Sequence, residues 1–197
     1  MHAQDLPRPA ARDGAIALGT LADRFGMAGA GALLLLLAVP AFLPVPLPTG
    51  IPAGIAMAAI GVQIALGHAR PWLPGWARRL SLRRRQVADG LARLFRILRR
   101  CGLRLRRRLP AAVGTHGSPR PLTGVVLVAC GAVIVLPIPF GNQLPSLAVA
   151  AIGLGLLRGD GLFVLAGYGL AVAAAAWTVA LLVAGAGLAE AVSGLFG

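Results

Sequence analysis

Long apolar blocks alternate with short polar or proline-containing stretches along this chain. The apolar blocks cover residues 27–42, 51–66, 122–136, 144–157 and 162–192. The first four contain no charged residue, and the fifth contains none before Glu190. Each of the first four has about 16 residues, or ~24 Å as a helix, whereas a spanning helix needs about 20 residues. We therefore predict four short helices that either span a membrane with help from their flanks or turn back within it, and one long spanning helix.

The first four blocks form two pairs with similar turns. The motif LPVP occupies residues 43–46 and LPIP occupies residues 136–139, and the block AAIG follows at residues 58–61 and 150–153. Corresponding positions in the two copies are 92 or 93 residues apart. This spacing predicts a duplicated hairpin, in which each copy consists of a helix, a Pro-x-Pro turn and a second helix.

The prolines of the two turns are Pro44, Pro46, Pro137 and Pro139. Proline lacks an N–H and holds the preceding residue in extended geometry, so two prolines with one residue between them end a helix. Extended backbone inside a bilayer is tolerated only where protein or a wet cavity shields it. If the turns lie at depth, we expect them to face each other or another helix; if they lie at the membrane surface, they are ordinary turns.

An amphipathic pattern covers residues 82–109. Its apolar positions recur at steps of four and three, which predicts one stripe of a helix: Val87, Leu91, Leu94, Leu98, Cys101 and Leu105. Arginines fill the opposite side, and a helix of this kind lies on the surface of an anionic leaflet. Packing over the hairpins and a coiled-coil dimer are the alternatives. The arginines predicted to bind anionic lipid are Arg83, Arg84, Arg93, Arg96, Arg99, Arg100, Arg104 and Arg107.

The composition places the chain among integral membrane proteins. Hydrophobic residues make up 57% of it and charged residues only 13%, against about 25% charged in a soluble domain. The net charge is +13, and 14 of the 19 arginines fall between Arg70 and Arg108. One basic island between apolar blocks favours an anionic membrane surface over nucleic acid as its partner. Because cytoplasmic loops carry the excess of positive charge, residues 68–120 are predicted to be cytoplasmic, in a multi-pass membrane protein.

The predicted fold is therefore an all-α integral membrane protein. We expect no cleaved signal peptide, because no basic n-region leads directly into an apolar core and a cleavage site. A flexible N-terminus (1–14) is followed by a first repeat (15–81), which has an interfacial helix at 15–25 and a hairpin at 27–67. An arginine-rich amphipathic interfacial helix and a linker come next (82–120). The second repeat (121–197) has a hairpin at 122–158 and a C-terminal transmembrane helix at 161–192.

Few residues in the sequence are candidates for chemistry. His, Cys, Asp and Glu show no metal-ligand spacing, and no nucleophile elbow or phosphate-binding loop occurs, so we predict no enzyme activity, no metal and no cofactor. Polar groups inside apolar blocks are the remaining candidates. Asn142 either binds a polar group or serves as a turn residue. Gln63 either binds a polar group or hydrogen-bonds between helices. The predicted ligand-binding set is Pro44, Pro46, Gln63, Pro137, Pro139, Asn142 and Gln143.

The motifs also resemble those of the ExoD family of bacterial exopolysaccharide-synthesis proteins. The resemblance is carried by FLPVP at residues 42–46, ARPWLP at 69–74, and LPIPFGN at 136–142 followed by Leu144-Pro145. It extends over approximately residues 15–185. It implies an inner-membrane protein linked to exopolysaccharide production, and it carries over no catalytic residue.

These observations predict that the chain is a non-enzymatic membrane protein that acts in exopolysaccharide synthesis or export and binds anionic lipid or a lipid-linked saccharide. The alternative is a small transporter or lipid-translocating protein whose site is formed by the paired Pro-x-Pro hairpins. A membrane enzyme acting on lipid phosphates ranks below both because the sequence offers no evident base. Nucleic acid is not expected as a partner, and self-association into a homo-oligomer is kept open.

Overall fold

A computed structural model of the protein describes most of its apolar sequence. It describes residues 15–42, 50–68, 72, 75, 81–83, 96, 113–114, 120–136 and 141–196. These residues form two short strands and five helices: β1 (Ala15–Ala17), α1 (Leu18–Phe42), α2 (Gly50–Ala65), β2 (Ser81–Arg83), α3 (Pro121–Val135), α4 (Gln143–Arg158) and α5 (Gly161–Phe196). The prediction of a helical protein is confirmed, and each predicted apolar block coincides with a helix.

The helix α1 combines two predicted segments. Gly26 has φ 51° and ψ −125°, which is not helical, so the backbone breaks there. The break separates the predicted interfacial segment from the apolar arm that follows. Because glycine has no Cβ, it adopts this positive φ without the steric cost that other residues meet. The apolar part, Gly26–Phe42, matches the predicted first arm.

The strands correct two boundaries of the sequence prediction. Residues 15–17 pair antiparallel with residues 81–83, with Ile16 opposite Leu82. The predicted interfacial helix therefore begins at Leu18, and the predicted amphipathic helix does not include Leu82 or Arg83. Pairing satisfies the backbone groups on the facing edges of both segments, and a three-residue strand leaves no periodic pattern by which to recognise it.

The chain divides into two compact units. One comprises residues 1–21 and 73–104, and the other comprises residues 22–72 and 105–197. The first contains the β1–β2 pair. The second contains α2 to α5 and most of α1, and its buried side chains include Leu34, Met57 and Ile152.

The helices α2 and α3 pack closely through glycines. A Cβ atom placed on Gly54 would lie 2.7 Å from the carbonyl oxygen of Gly131, and one placed on Gly61 would lie 2.8 Å from that of Gly124. The two helices are therefore antiparallel. On each helix the glycines are seven residues apart, which places them on one face two turns from each other. Small residues allow two helix backbones to approach in this way.

The helices α1 and α4 meet through a third glycine pair. A Cβ atom on Gly31 would contact the carbonyl oxygen of Gly153 and lie 2.6 Å from the amide nitrogen of Leu157. Conversely, a Cβ atom on Gly153 would lie 2.9 Å from the carbonyl oxygen of Gly31. All three glycine pairs thus join a helix before one Pro-x-Pro motif to a helix after the other.

The long helix α5 packs mainly along α4, with a smaller contact to α3. A Cβ atom on Gly155 would lie 2.8 Å from the amide nitrogen of Val164, and one on Gly167 would lie 3.0 Å from the carbonyl oxygen of Ala148. Among the described residues, Gly161–Gly187 is the one helical segment long and apolar enough to cross a membrane by length and composition. The other four apolar helical segments have 10–17 residues.

Candidate functional site

The first residues of α2 and α4 lie against each other. Gly50 begins α2, and Asn142 directly precedes α4. A Cβ atom on Gly50 would lie 2.8 Å from Asn142 Nδ2 and 3.4 Å from the carbonyl oxygen of Ile134, near the end of α3. The side-chain amide of Asn142 is therefore directed at the start of α2. We refer to Gly50, Asn142 and Ser146, together with the first turns of α2 and α4, as the helix-start junction.

Two buried polar atoms of the helix-start junction have no hydrogen-bond partner among the described residues. They are Asn142 Oδ1 and Ser146 Oγ. Ser146 is fully buried at 0% exposure. Its N–H donates to the carbonyl oxygen of Asn142 at 3.1 Å, so the two residues lie one turn apart on the same face of α4. A buried polar atom without a partner costs about 1–3 kcal/mol, so this pair is unusual for a packed helix.

Helix electrostatics add a second property to the helix-start junction. The N–H groups of the first helical turn have no partner within the helix, and the aligned peptide dipoles place positive charge there. Both α2 and α4 have 16 residues, and neither has an acidic residue in its first turn. The side chain of Asn142 does not cap α4. The first-turn N–H groups of α2 and α4 can therefore bind an anionic group, with Asn142 and Ser146 as further hydrogen-bonding residues. The end of α3, whose Ile134 carbonyl oxygen lies beside Gly50, offsets part of the positive charge.

Sequence reasoning identified Asn142 but missed Ser146 and Gly50. Asn142 was recognised because an amide inside an apolar block is costly. The sequence suggested no role for Ser146, although its spacing of four from Asn142 places both on one helix face. Gly50 read as part of a turn, and only the close approach to Asn142 reveals its position.

Gln63 lies at the other end of α2 and contacts a different segment. Its Nε2 donates to the carbonyl oxygens of Ala59 at 3.1 Å and Trp72 at 3.2 Å, and its Oε1 accepts a hydrogen bond from the N–H of Trp72. Gln63 is 13 residues beyond Gly50, about 20 Å along the helix axis. The structure does not bring it to the helix-start junction. Its amide instead holds the backbone that follows α2.

The remaining predicted residues are placed as follows. Gln143 is the first residue of α4 and is partly exposed. Arg83 ends β2, and Arg96 is helical and exposed. The other predicted residues lie outside the described part of the chain: Pro44, Pro46, Pro137, Pro139, Arg84, Arg93, Arg99, Arg100, Arg104 and Arg107.

Two further polar contacts join helices away from the helix-start junction. The hydroxyls of Thr123 on α3 and Tyr168 on α5 are hydrogen-bonded at 2.6 Å, and Thr123 is fully buried. Asp160 is also buried, and its Oδ1 accepts the N–H of Leu162 at 3.1 Å, as an N-cap of α5 does. The described residues contain no group of three or more His, Cys, Asp or Glu that could hold a metal ion.

Comparison with known proteins identifies related chains. Protein ExoD of Rhizobium meliloti (strain 1021) is 28% identical over 162 residues, which cover 80% of this chain and 66% of that protein. An uncharacterized protein of Synechocystis sp. (strain ATCC 27184 / PCC 6803 / Kazusa), slr1875, is 27% identical over 140 residues, which cover 70% of this chain and 65% of that protein. The matched region therefore spans just under two thirds of each relative. No solved structure matches significantly.

A family match covers most of the sequence. The sequence model of the family described as "Exopolysaccharide synthesis, ExoD" matches residues 4–180. This range includes both Pro-x-Pro motifs, the arginine-rich segment and the helix-start junction. The resemblance noted from the motifs is thereby confirmed, and the chain belongs to the ExoD family.

Proposed function

We propose that this chain is a multi-pass protein of the bacterial inner membrane that supports exopolysaccharide synthesis or export by binding anionic lipid or a lipid-linked saccharide, without catalysing a reaction. The exposure of α5 is the observation that carries the membrane location. Only 11% of its most apolar 18-residue stretch is buried, and Val172 and Val183 are 72% and 67% exposed. A helix that is apolar all round needs an apolar surrounding, and lipid supplies it.

The two hairpins are proposed to be copies of one ancestral unit, and equivalent contacts support this. Gly31 on α1 approaches the carbonyl oxygen of Gly153 and the amide nitrogen of Leu157 on α4. Gly124 on α3 approaches the carbonyl oxygen of Gly61 and the amide nitrogen of Ala65 on α2. All these positions correspond at the offsets of 92 and 93 residues found in the sequence. The close approach of Gly50 to Asn142 further supports two turns that enter the membrane from the same side and meet.

The arginine-rich segment is proposed to hold the phosphates of anionic lipid on the cytoplasmic side. Fourteen arginines fall between Arg70 and Arg108, where Asp89 is the single acidic residue. Each basic residue near an anionic leaflet contributes about 1 kcal/mol to membrane binding. Arg96, which is exposed, is available for such contacts.

Neutralising three of these arginines tests the proposal. We expect the triple change Arg93→Gln, Arg96→Gln and Arg100→Gln to weaken association of the purified chain with anionic lipid by about 100-fold, because three favourable charge contacts are lost. Exchange of labelled phosphatidylglycerol into micelles or nanodiscs that hold the protein measures this.

The matched control removes the same charge elsewhere. It combines Arg8→Gln, Arg12→Gln and Arg120→Gln, all outside residues 82–109. A smaller loss in the control supports a specific role for the segment. Unchanged affinity in the first triple variant, or equal losses in both, contradicts it.

Translocation of a lipid or saccharide is a second candidate function, and the meeting of the two helix starts favours it. Secondary transporters bind substrate where interrupted helices from two repeats meet, with helix N-termini directed at anionic groups. If this function holds, vesicles reconstituted with the full chain translocate a fluorescent lipid-linked saccharide, and Asn142→Ala stops the translocation. Ser193→Ala, a change at the exposed end of α5, serves as control. Equal rates in protein-free vesicles would exclude translocation of that probe.

A further inference from the structure

We propose that the helix-start junction binds the sugar-phosphate headgroup of a lipid-linked saccharide, with the phosphate at the starts of α2 and α4 and a sugar hydroxyl on Asn142 and Ser146. This assignment rests on the proposed function, which supplies the membrane setting and the ligand class. It adds the residues that distinguish a glycosylated lipid phosphate from a plain one.

The unpaired oxygen of Asn142 indicates a hydrogen-bond donor in the ligand. Oδ1 only accepts hydrogen bonds, and it is buried without a partner among the described residues. An ionised phosphate diester has no donor to offer it, whereas a sugar hydroxyl does. Ser146 Oγ, also buried and unpartnered, both donates and accepts, so it suits a second hydroxyl or a phosphate oxygen.

The helix starts indicate an anion in the same ligand. The starts of α2 and α4 meet where Gly50 faces Asn142, and neither first turn carries a carboxylate. The end of α3 lies beside them, with the carbonyl oxygen of Ile134 3.4 Å from the Cβ position of Gly50, so we expect the first-turn N–H groups, and not the helix dipoles, to bind the anion. Backbone N–H groups at a helix start bind phosphate readily. Proline at positions 52 and 145 removes one N–H from each first turn, so side chains have to complete the site. An anion with adjacent hydroxyls meets both requirements, and a sugar phosphate is such a group.

Gly50 leaves room for the side-chain amide of Asn142 at the start of α2. A Cβ atom there would lie 2.8 Å from Asn142 Nδ2, closer than real contacts allow, so the amide would have to move. The obstructing atom is the end of a flexible side chain, and alanine favours a helix more than glycine does. Gly50→Ala is therefore expected to displace Asn142 while α2 stays folded.

Binding to a glycosylated and a plain lipid phosphate tests the assignment. The full chain is purified in detergent and titrated with a polyprenyl-phosphate hexose, with polyprenyl phosphate alone and with soluble hexose phosphate. We expect Asn142→Leu and Gly50→Ala each to bind the glycosylated lipid about tenfold more weakly, as for the loss of one good hydrogen bond, and to bind the plain lipid phosphate nearly as before. If the chain binds the soluble hexose phosphate, the headgroup alone suffices for binding. If it does not, the lipid chain is also needed. In both cases, loss of selectivity for the glycosylated lipid in the variants supports the site.

Matched variants separate binding from folding. Ser146→Ala removes one hydroxyl with little change of volume and is expected to weaken the glycosylated lipid severalfold. Ser193→Ala and Gly169→Ala make the same chemical changes where no site is proposed, and Gly169 has open space around its Cβ position. Thermal unfolding without ligand checks each variant; if Asn142→Leu does not fold, Ser146→Ala and Gly50→Ala carry the test.

The outcomes distinguish this assignment from the proposed function. If the unmodified chain binds neither polyprenyl lipid, the lipid-linked saccharide part of the proposed function fails. If it binds both lipids and the junction variants bind them as well as the unmodified chain, the function stands and this site is wrong. The same conclusion follows if Ser146 and Asn142 are satisfied internally, with the Ser146 hydroxyl donating to the carbonyl four residues back; the variants then change stability but not selectivity.

Discussion

Replacing Gly124 with alanine is expected to destabilise the protein by about 2–3 kcal/mol, since it forces α2 and α3 apart. The new Cβ atom would lie 2.6 Å from the Cα atom of Ala65 and would also contact the carbonyl oxygen of Gly61. Both obstacles are backbone, so no side-chain rotation relieves the clash. The gain of about 1 kcal/mol in helix propensity is too small to offset it.

Unfolding in mixed detergent micelles measures this loss. Gly169→Ala is the matched control, because it makes the same change on α5 where nothing lies within 4 Å. The control is expected to keep or slightly raise the free energy of unfolding. If Gly124→Ala is as stable as the control, the close packing of α2 on α3 is wrong.

Gly31→Ala is expected to cause a loss of similar size, about 2–3 kcal/mol, by separating α1 from α4. Its Cβ atom would meet the carbonyl oxygen of Gly153 and lie 2.6 Å from the amide nitrogen of Leu157. These atoms occupy the same positions around Gly31 as the Gly61 carbonyl oxygen and the Ala65 amide nitrogen do around Gly124. The same measurement in mixed micelles applies.

An internal comparison sharpens this second prediction. Gly153→Ala would place a Cβ atom 3.2 Å from Leu34 Cβ and 3.3 Å from Leu35 Cγ, with a backbone oxygen at 2.9 Å. Its nearest obstacles are more distant and in part side chains, so a smaller loss than for Gly31→Ala is expected. Equal stability of Gly31→Ala and the unmodified chain would show that α1 does not dock on α4 as described.

The candidate site was only partly visible in the sequence. Asn142 stood out because a polar amide in an apolar block has to find a partner. Gln63 stood out for the same reason, yet its amide bonds to the backbone of Trp72, which follows its own helix. A polar residue in such a block signals that a hydrogen bond is needed, but not which group provides it. Ser146 and Gly50 acquire meaning only from their position beside Asn142.

The sequence by itself determined where the helices lie, because uncharged apolar blocks and the prolines and glycines between them act through local chemistry. It also determined the family, through motifs that need no coordinates. The tertiary structure alone decided which helices pair: α2 with α3 and α1 with α4, through glycine faces on helices that flank different Pro-x-Pro motifs. It also decided that β1 pairs with β2 across more than 60 residues of chain, and that the starts of α2 and α4 meet. Contacts of this kind depend on surfaces matching between distant segments, and no periodicity within one segment encodes them.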